Sequence, residues 1–154
     1  MTDRELLRHS LATLAYRAGK AVRGAAPDFG DFSGAGRKPV EILAHMGDLF
    51  DWALTLVRGD QKWNSAKPLP WDQEVARFFG SLAAFDAYLG SNQPIHAPLD
   101  KLFQAPIADA LTHTGQIAML RRLAGCPMKG ENYFVATMEI GRVGFEQASA
   151  AQEF

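Results

Sequence analysis

Cysteine is nearly absent from this sequence, which has only Cys126 among its 154 residues. A single cysteine excludes an internal disulfide framework and leaves no cysteine cluster for a structural zinc ion. Long apolar runs are also missing, and the residues after Met1 lack the apolar core of a secretory signal. We therefore expect a cytoplasmic protein without a membrane partner.

The sequence also has no excess of either charge, because 16 basic residues and 17 acidic residues give a net charge of −1. The basic residues of the first segment are interleaved with apolar residues at helical spacing, which is typical of a solvated helix face. Nucleic acid is therefore not an expected partner. With 47% hydrophobic residues, residues 1–154 are expected to form one domain with a full core.

Apolar residues recur at helical spacing in four segments, whereas strand signals are weak everywhere. Thr2 and Glu5 form a capping box, which predicts the start of the first helix. Pro39 suits the first position of the second helix, and Gly59 can cap its end. The third predicted helix runs from about residue 71 to residue 89.

The fourth region opens with a turn near residues 98–104, can be broken at Pro106, and continues as a helix over residues 107–124. Residues 126–154 have no clean period, but they are too apolar for a disordered end. We therefore expect an all-α fold, an antiparallel four-helix bundle with this C-terminal segment packed across it.

The fourth helix places polar residues on the face that its aliphatic residues predict to be the core. On a helical wheel this face comprises Asp109, His113, Gln116, Met119, Leu120 and Leu123. Arg121 and Arg122 point to the opposite side, which is then the predicted solvent side. Because burying polar groups without partners costs several kcal/mol, something must satisfy the acid, the imidazole and the amide.

Two interpretations of these polar residues remain open on their spacing alone. Asp109 and His113 lie on adjacent helical turns, so both can reach one metal ion. Alternatively, Asp109, His113 and Gln116 form a closed hydrogen-bond network in a non-catalytic helical module that binds a small apolar ligand or a partner helix.

His45 is the best candidate for a third metal ligand, because it lies at the edge of the apolar stripe of the second predicted helix. Together with Asp109 and His113 it would supply two imidazoles and one carboxylate, the ligand set of many open divalent-metal sites.

Two stretches resemble the DinB-like (YfiT-like) metalloenzyme family. Residues 112–116, Thr-His-Thr-Gly-Gln, followed by residues 118–125, Ala-Met-Leu-Arg-Arg-Leu-Ala-Gly, resemble its signature helix. Residues 41–49, Glu-Ile-Leu-Ala-His-Met-Gly-Asp-Leu, resemble its second-helix histidine region. The resemblance implies an antiparallel four-helix bundle and a metal set of one histidine from the second helix and two from the signature helix. His45 and His113 match that set, but Asp109 stands where the family has a histidine.

The resemblance also implies a function. Relatives include mycothiol-dependent maleylpyruvate isomerases and bacillithiol transferases, so we expect a metal-dependent transferase, isomerase or hydrolase that acts on a small molecule, with a low-molecular-weight thiol as a further candidate cofactor. Zn, Ni, Mn and Fe all suit the mixed ligand set. Gln116 would orient a ligand or the substrate by hydrogen bonding. Residues 132–134 look like the tail of one branch of the family, which makes Tyr133 a candidate for the rim of the site.

A second apolar face on the fourth helix bears on self-association. Ile107, Leu111 and Ala118 lie away from the polar residues, and such a face can contact another helix of the bundle or a second subunit. Since the resemblance implies a family that is often dimeric, we expect a homodimer.

Overall fold

The computed structural model describes residues 1–34 and 36–154, and within them the fold is all-helical without a strand. Four helices are long: α1 (Asp3–Val22), α2 (Pro39–Arg58), α3 (Trp71–Gly90) and α5 (Ala108–Leu123). Shorter pieces are a 3₁₀ turn at Phe29–Asp31, the single turn α4 (Leu99–Leu102) and a π-helical turn at Phe103–Ile107. No helix among the described residues combines the length and the apolarity needed to cross a membrane.

The predicted helix ends are confirmed where local chemistry sets them. The Thr2 hydroxyl accepts a hydrogen bond from the backbone N–H of Glu5, and the Glu5 carboxylate accepts one from the N–H of Thr2. Pro39 is the first residue of α2, a position whose N–H would have no partner within the helix, so the lack of an N–H in proline costs nothing there. Gly59 ends α2 at φ +81°, in the left-handed region that favours glycine.

The helix break predicted at Pro106 is instead a change of helix type. The chain runs from α4 through the π-helical turn into α5 without leaving helical backbone. Pro106 lacks the N–H that an α-helix would bond one turn back, and a π-helical turn is a common way to absorb such a defect. As a result, α5 begins one residue before Asp109.

The long helices pack in a ring. Among the described residues, α1 packs against α3 and α5, and α2 packs against the same two helices, so α1 and α2 lie at opposite corners. The centre is filled by fully buried aromatic and aliphatic side chains, among which Phe50 of α2 contacts Phe78 and Phe85 of α3. This packing leaves one face of α2 against α5, and the candidate site lies there.

The prediction of which face of α5 lies in the core is largely wrong. The buried positions of α5 are Ala110, Thr114, Ile117, Leu120 and Arg121, and Ile107 just before it is buried too. Met119 and Leu123, which were predicted to be buried, keep 51% and 57% of their surface exposed. Of the two roles considered for the face with Ile107, Leu111 and Ala118, contact with other helices of the chain is the one observed.

Arg121, which was predicted to face solvent, is buried against the end of α1. Its guanidinium donates to the backbone carbonyls of Ala21, Arg23 and Cys126. The oxygens of Ala21 and Arg23 lie at the end of α1, where carbonyl groups lack partners within the helix, and Cys126 follows the end of α5. Arg121 therefore ties the end of α5 to the end of α1, a role that a helical wheel cannot reveal.

The C-terminal segment packs on α1 and α3, and of the residues that made it look apolar Tyr133 takes part in this packing, against Tyr16 of α1. Phe134 is 95% exposed, whereas Val143 is buried and Phe145 packs edge-on against Phe79 of α3. Glu131 lies at the centre of the contact with α1.

The Glu131 carboxylate, fully buried, accepts hydrogen bonds from Tyr16 Oη at 2.6 Å and from Lys20 Nζ at 2.7 Å. Burial raises the pKa of Glu131, but the hydrogen bonds from Lys20 and Tyr16 and the ammonium charge outweigh it, so the pKa lies below its ordinary value. Burial and the same hydrogen bond raise the pKa of Tyr16.

Candidate metal centre

Three side chains from two helices converge at the contact between α2 and α5. His45 comes from α2, and Asp109 and His113 come from successive turns of α5. One ligand atom from each lies within 4.8 Å of the other two. The sequence therefore predicted the membership of this cluster correctly, including the residue from the other helix.

The aspartate lies between the two imidazoles. Its Oδ2 is 3.3 Å from Nε2 of His45, and its Oδ1 is 3.4 Å from Nε2 of His113. A charge-assisted N–H···O bond is shorter, at about 2.7–2.9 Å. Ligand atoms at tetrahedral angles around an ion, with bonds of about 2.0–2.1 Å, lie about 3.3–3.4 Å apart. Both separations are compatible with atoms that share an ion, and the contact between His45 and Asp109 also meets the geometry of a long hydrogen bond.

Gln116 sets the proton position on His113. Its amide oxygen lies 2.7 Å from Nδ1 of His113, one turn along α5. Because an amide oxygen can only accept, Nδ1 carries the proton in this arrangement, and Nε2 is left with a lone pair. That lone pair is on the nitrogen nearest to Asp109, as a metal-binding imidazole requires. Gln116 itself is exposed, and the prediction that it lies inside the core is wrong.

The cluster is half-buried rather than buried. The side chains of His45, Asp109 and His113 keep 25%, 44% and 13% of their surface exposed. Water can therefore solvate the carboxylate, and no desolvation penalty forces a closed polar network here. The open side also leaves room for further ligands on an ion.

Trp63 is a residue of the site that the sequence did not indicate. It lies in the extended connection between α2 and α3, where neither spacing nor propensity predicts its position. Its ring lies 5.8 Å from the ring of His45 and 5.8 Å, edge-on, from the ring of Trp52. The two tryptophans thus form an aromatic wall beside His45.

The connection that carries Trp63 is held by buried acids. The backbone N–H of Ala66 donates to Asp48, and that of Leu69 donates to Glu74. Both carboxylates also pair with the guanidinium of Arg77. These contacts hold an otherwise exposed segment at a set position over α2 and α3, and so they support the position of Trp63.

A cavity of about 530 Å³ opens next to the two histidines. It is lined by Arg37, Ile42, His45, His113, Gln116, Met119, Leu120 and Leu123. A second cavity of about 400 Å³ borders Asp109 and is lined by residues that include Trp52 and Gln104. The three candidate ligands therefore stand between two spaces large enough for a small molecule.

Tyr133 lies elsewhere in the described structure. Its ring packs edge-on against Tyr16 at 6.2 Å, and the guanidinium of Arg17 lies 4.1 Å from its centre. Tyr133 is not among the residues that line either cavity beside the cluster. The structure thus brings together His45, Asp109, His113 and Gln116, and it places Tyr133 against α1.

No family model, no curated protein and no solved structure matches this chain.

Proposed function

We propose that this protein binds one divalent metal ion through His45, Asp109 and His113 and that it is a metal-dependent enzyme acting on a small molecule. The observation that carries the proposal is the convergence of two imidazoles and one carboxylate, with one ligand atom from each within 4.8 Å of the other two. The donor set fits a divalent ion chemically, since two neutral imidazoles and one carboxylate leave open positions for water or substrate.

The alternative, a structural hydrogen-bond network without metal, has less support. With the Gln116 oxygen facing Nδ1, His113 can donate to Asp109 only as a cation, although neutral His45 can donate to that carboxylate. The distance to Asp109 is long for such a charged pair. In addition, the exposure of Asp109 removes the burial that would have made a network necessary.

The resemblance to the DinB-like family adds the class of reaction that we propose, namely transfer, isomerisation or hydrolysis, with a low-molecular-weight thiol as a candidate co-substrate. A bound divalent ion supplies a positive charge that lowers the pKa of a coordinated water or thiol and polarises a carbonyl group. Gln116 holds His113 in the tautomer that presents Nε2, and Trp63 shields one side of His45. The adjoining cavities provide space for the reacting molecule.

The test is elemental analysis after loading. Purified protein is stripped with a chelator, dialysed separately against Mn²⁺, Fe²⁺, Ni²⁺ and Zn²⁺, and freed of excess ion. We expect about one ion per chain with at least one of these metals. His45→Ala and His113→Ala should remain folded by circular dichroism and lose the ion, whereas His9→Ala on α1 should keep it.

Two outcomes contradict the proposal. Wild-type protein that retains none of the four metals would exclude a metal centre. Retention of a full equivalent in folded His45→Ala and His113→Ala variants would mean that the ion binds elsewhere.

We also propose that the ring of helices is a four-helix bundle of the DinB type. Arg8 near the start of α1 pairs with Asp86 near the end of α3, which supports opposite directions for these two helices. Arg77 near the start of α3 bonds to Ala44 and Asp48 in the first half of α2, which supports a common direction. The bundle we propose therefore has both antiparallel and parallel neighbours, with the extended connection between α2 and α3 running back along the bundle from the end of α2 to the start of α3.

A further inference from the structure

The cavity beside His45 and His113 has one wholly aliphatic wall. Ile42 of α2 and Met119, Leu120 and Leu123 of α5 form this wall. Met119 and Leu123 lie one helical turn apart, and more than half of each side chain remains in contact with water. Exposed aliphatic surface gathered in one concavity is a common feature of ligand sites, because an apolar molecule gains free energy by covering it.

The polar part of the same cavity carries no negative charge. Arg37 is its only permanently charged lining residue, and none of the eight lining residues is an acid. Within the described part of the chain, the guanidinium of Arg37 has no ion pair or hydrogen bond to a carboxylate or carbonyl oxygen. The oxygen of Gln116 is already used by His113, so its amide N–H groups are the ones left to bind a ligand. A ligand must therefore supply acceptors.

The charge and shape of this lining select one class of ligand. A guanidinium matches the two oxygens of a carboxylate in a bidentate pair, and one positive charge balances one negative charge. The apolar wall has no aromatic ring, and methionine adapts its shape to a flexible chain. An aliphatic chain with one carboxylate at its end suits both parts.

We propose that this cavity binds an aliphatic monocarboxylate, with Arg37 paired to the carboxylate and Met119 and Leu123 covering the hydrocarbon chain. Insofar as this molecule is the substrate, the inference rests on the proposed metal-dependent function. Binding itself uses residues outside the metal cluster, so the two proposals can fail separately.

The experiment is calorimetric titration of the full chain with octanoate, octan-1-ol and octylamine, in metal-stripped and metal-loaded protein. We expect octanoate to bind about tenfold or more tightly than octan-1-ol in both forms, because a charged hydrogen-bonded pair contributes about 1.5–3 kcal/mol. Octylamine should bind most weakly, since its cation meets Arg37.

Variants identify the residues that bind each part of the ligand. Arg37→Met should lower the affinity for octanoate to that for octan-1-ol and leave octan-1-ol unchanged. Arg122→Met removes an exposed arginine of α5 that does not line the cavity and should change neither. Met119→Ser combined with Leu123→Ser should weaken both octanoate and octan-1-ol.

The outcomes separate the two proposals and test the competing occupant. Equal affinity for octanoate in wild type and Arg37→Met, or octylamine bound as tightly as octanoate, would overturn the carboxylate site. A preference for octanoate without any metal retention would leave this site standing and refute the metal centre. If the serine variants convert a dimer to a monomer in sedimentation and the wild type binds no octanoate, the wall is an interface between two copies, and the ligand proposal is wrong.

Discussion

Gly47 of α2 is a position at which adding one methyl group should disturb the fold and the site together. A Cβ atom built there would lie 2.8 Å from Cζ, 2.9 Å from Nη2 and 3.1 Å from Nη1 of Arg77. The guanidinium cannot retreat freely, because it donates to Glu74, Asp48, Asp51 and the carbonyl of Ala44. Gly47→Ala must therefore displace the group that neutralises two buried acids.

The magnitude follows from those acids. The side chain of Glu74 is 0% exposed and that of Asp48 is 7% exposed. Removing one partner of a buried ion pair costs about 3–5 kcal/mol, whereas alanine in place of glycine inside a helix contributes about 1 kcal/mol of stability. We expect a net loss of about 2–4 kcal/mol and a fall in melting temperature of roughly 4–16 °C.

Gly80 provides a matched control, because it is an exposed interior position of α3 where an added Cβ would meet nothing within 4 Å. Gly80→Ala should raise stability by about 0.5–1 kcal/mol. Urea unfolding of both variants measures the difference, and hydrogen exchange at the amides of Ala66 and Leu69 reports whether the Trp63 connection loosens. If Gly47→Ala is as stable as Gly80→Ala, the buried ion-pair network is not what Gly47 protects.

Three further predictions concern the tail and the metal centre. Glu131→Gln should lose about 3 kcal/mol of stability at pH 7. The folded-state pKa of Glu131 is lowered, so the carboxylate stabilises the fold above the ordinary glutamate pKa, and this stabilisation is lost as pH falls through the folded-state pKa. Urea unfolding should therefore show a smaller difference between wild type and Glu131→Gln at pH 3 than at pH 7. The exposed Glu139→Gln should change stability by less than about 1 kcal/mol at either pH. Asp109→His should shift preference from Mn²⁺ towards Zn²⁺ and Ni²⁺ in competitive dialysis, because imidazole is the softer ligand; a gain for Mn²⁺ would contradict this. Ni²⁺ should quench tryptophan fluorescence in wild type and in Trp71→Phe, and less in Trp63→Phe, where Trp52 remains near the cluster; equal quenching in all three would place the ion away from Trp63.

The helices could be predicted from the sequence because their signals are local. A capping box at Thr2, a proline at residue 39 and a glycine at residue 59 act on neighbouring backbone groups, and the structure has helix ends at each. The behaviour of Pro106 was predicted less well. A proline removes one hydrogen bond wherever it stands, but whether the chain stops or widens into a π-helical turn depends on what packs around it, and sequence spacing carries no such information.

The sequence predicted that His45, Asp109 and His113 lie together, but it did not predict what surrounds them. Four-residue spacing brings Asp109 and His113 together on any helix, whichever face is buried. The position of His45 beside them depends on how α2 packs against α5, and the family resemblance supported that pairing. Trp63 and Arg37 could not be predicted in the same way, because both lie in connections between helices, where no period relates residue number to direction.

The buried face of α5 differs from the one that the sequence predicted. Both faces of this helix carry aliphatic residues, so hydrophobic periodicity alone allowed either to be the core. The prediction placed the face with Asp109 in the core, where its polar groups would need partners. Burying the other face costs less free energy, because it places Ile107, Ala110 and Ile117 in the core and leaves the Asp109 carboxylate in contact with water. Met119 and Leu123 remain exposed beside the polar cluster, and that combination of aliphatic and polar side chains on an outer face suits the small amphipathic ligand that we propose.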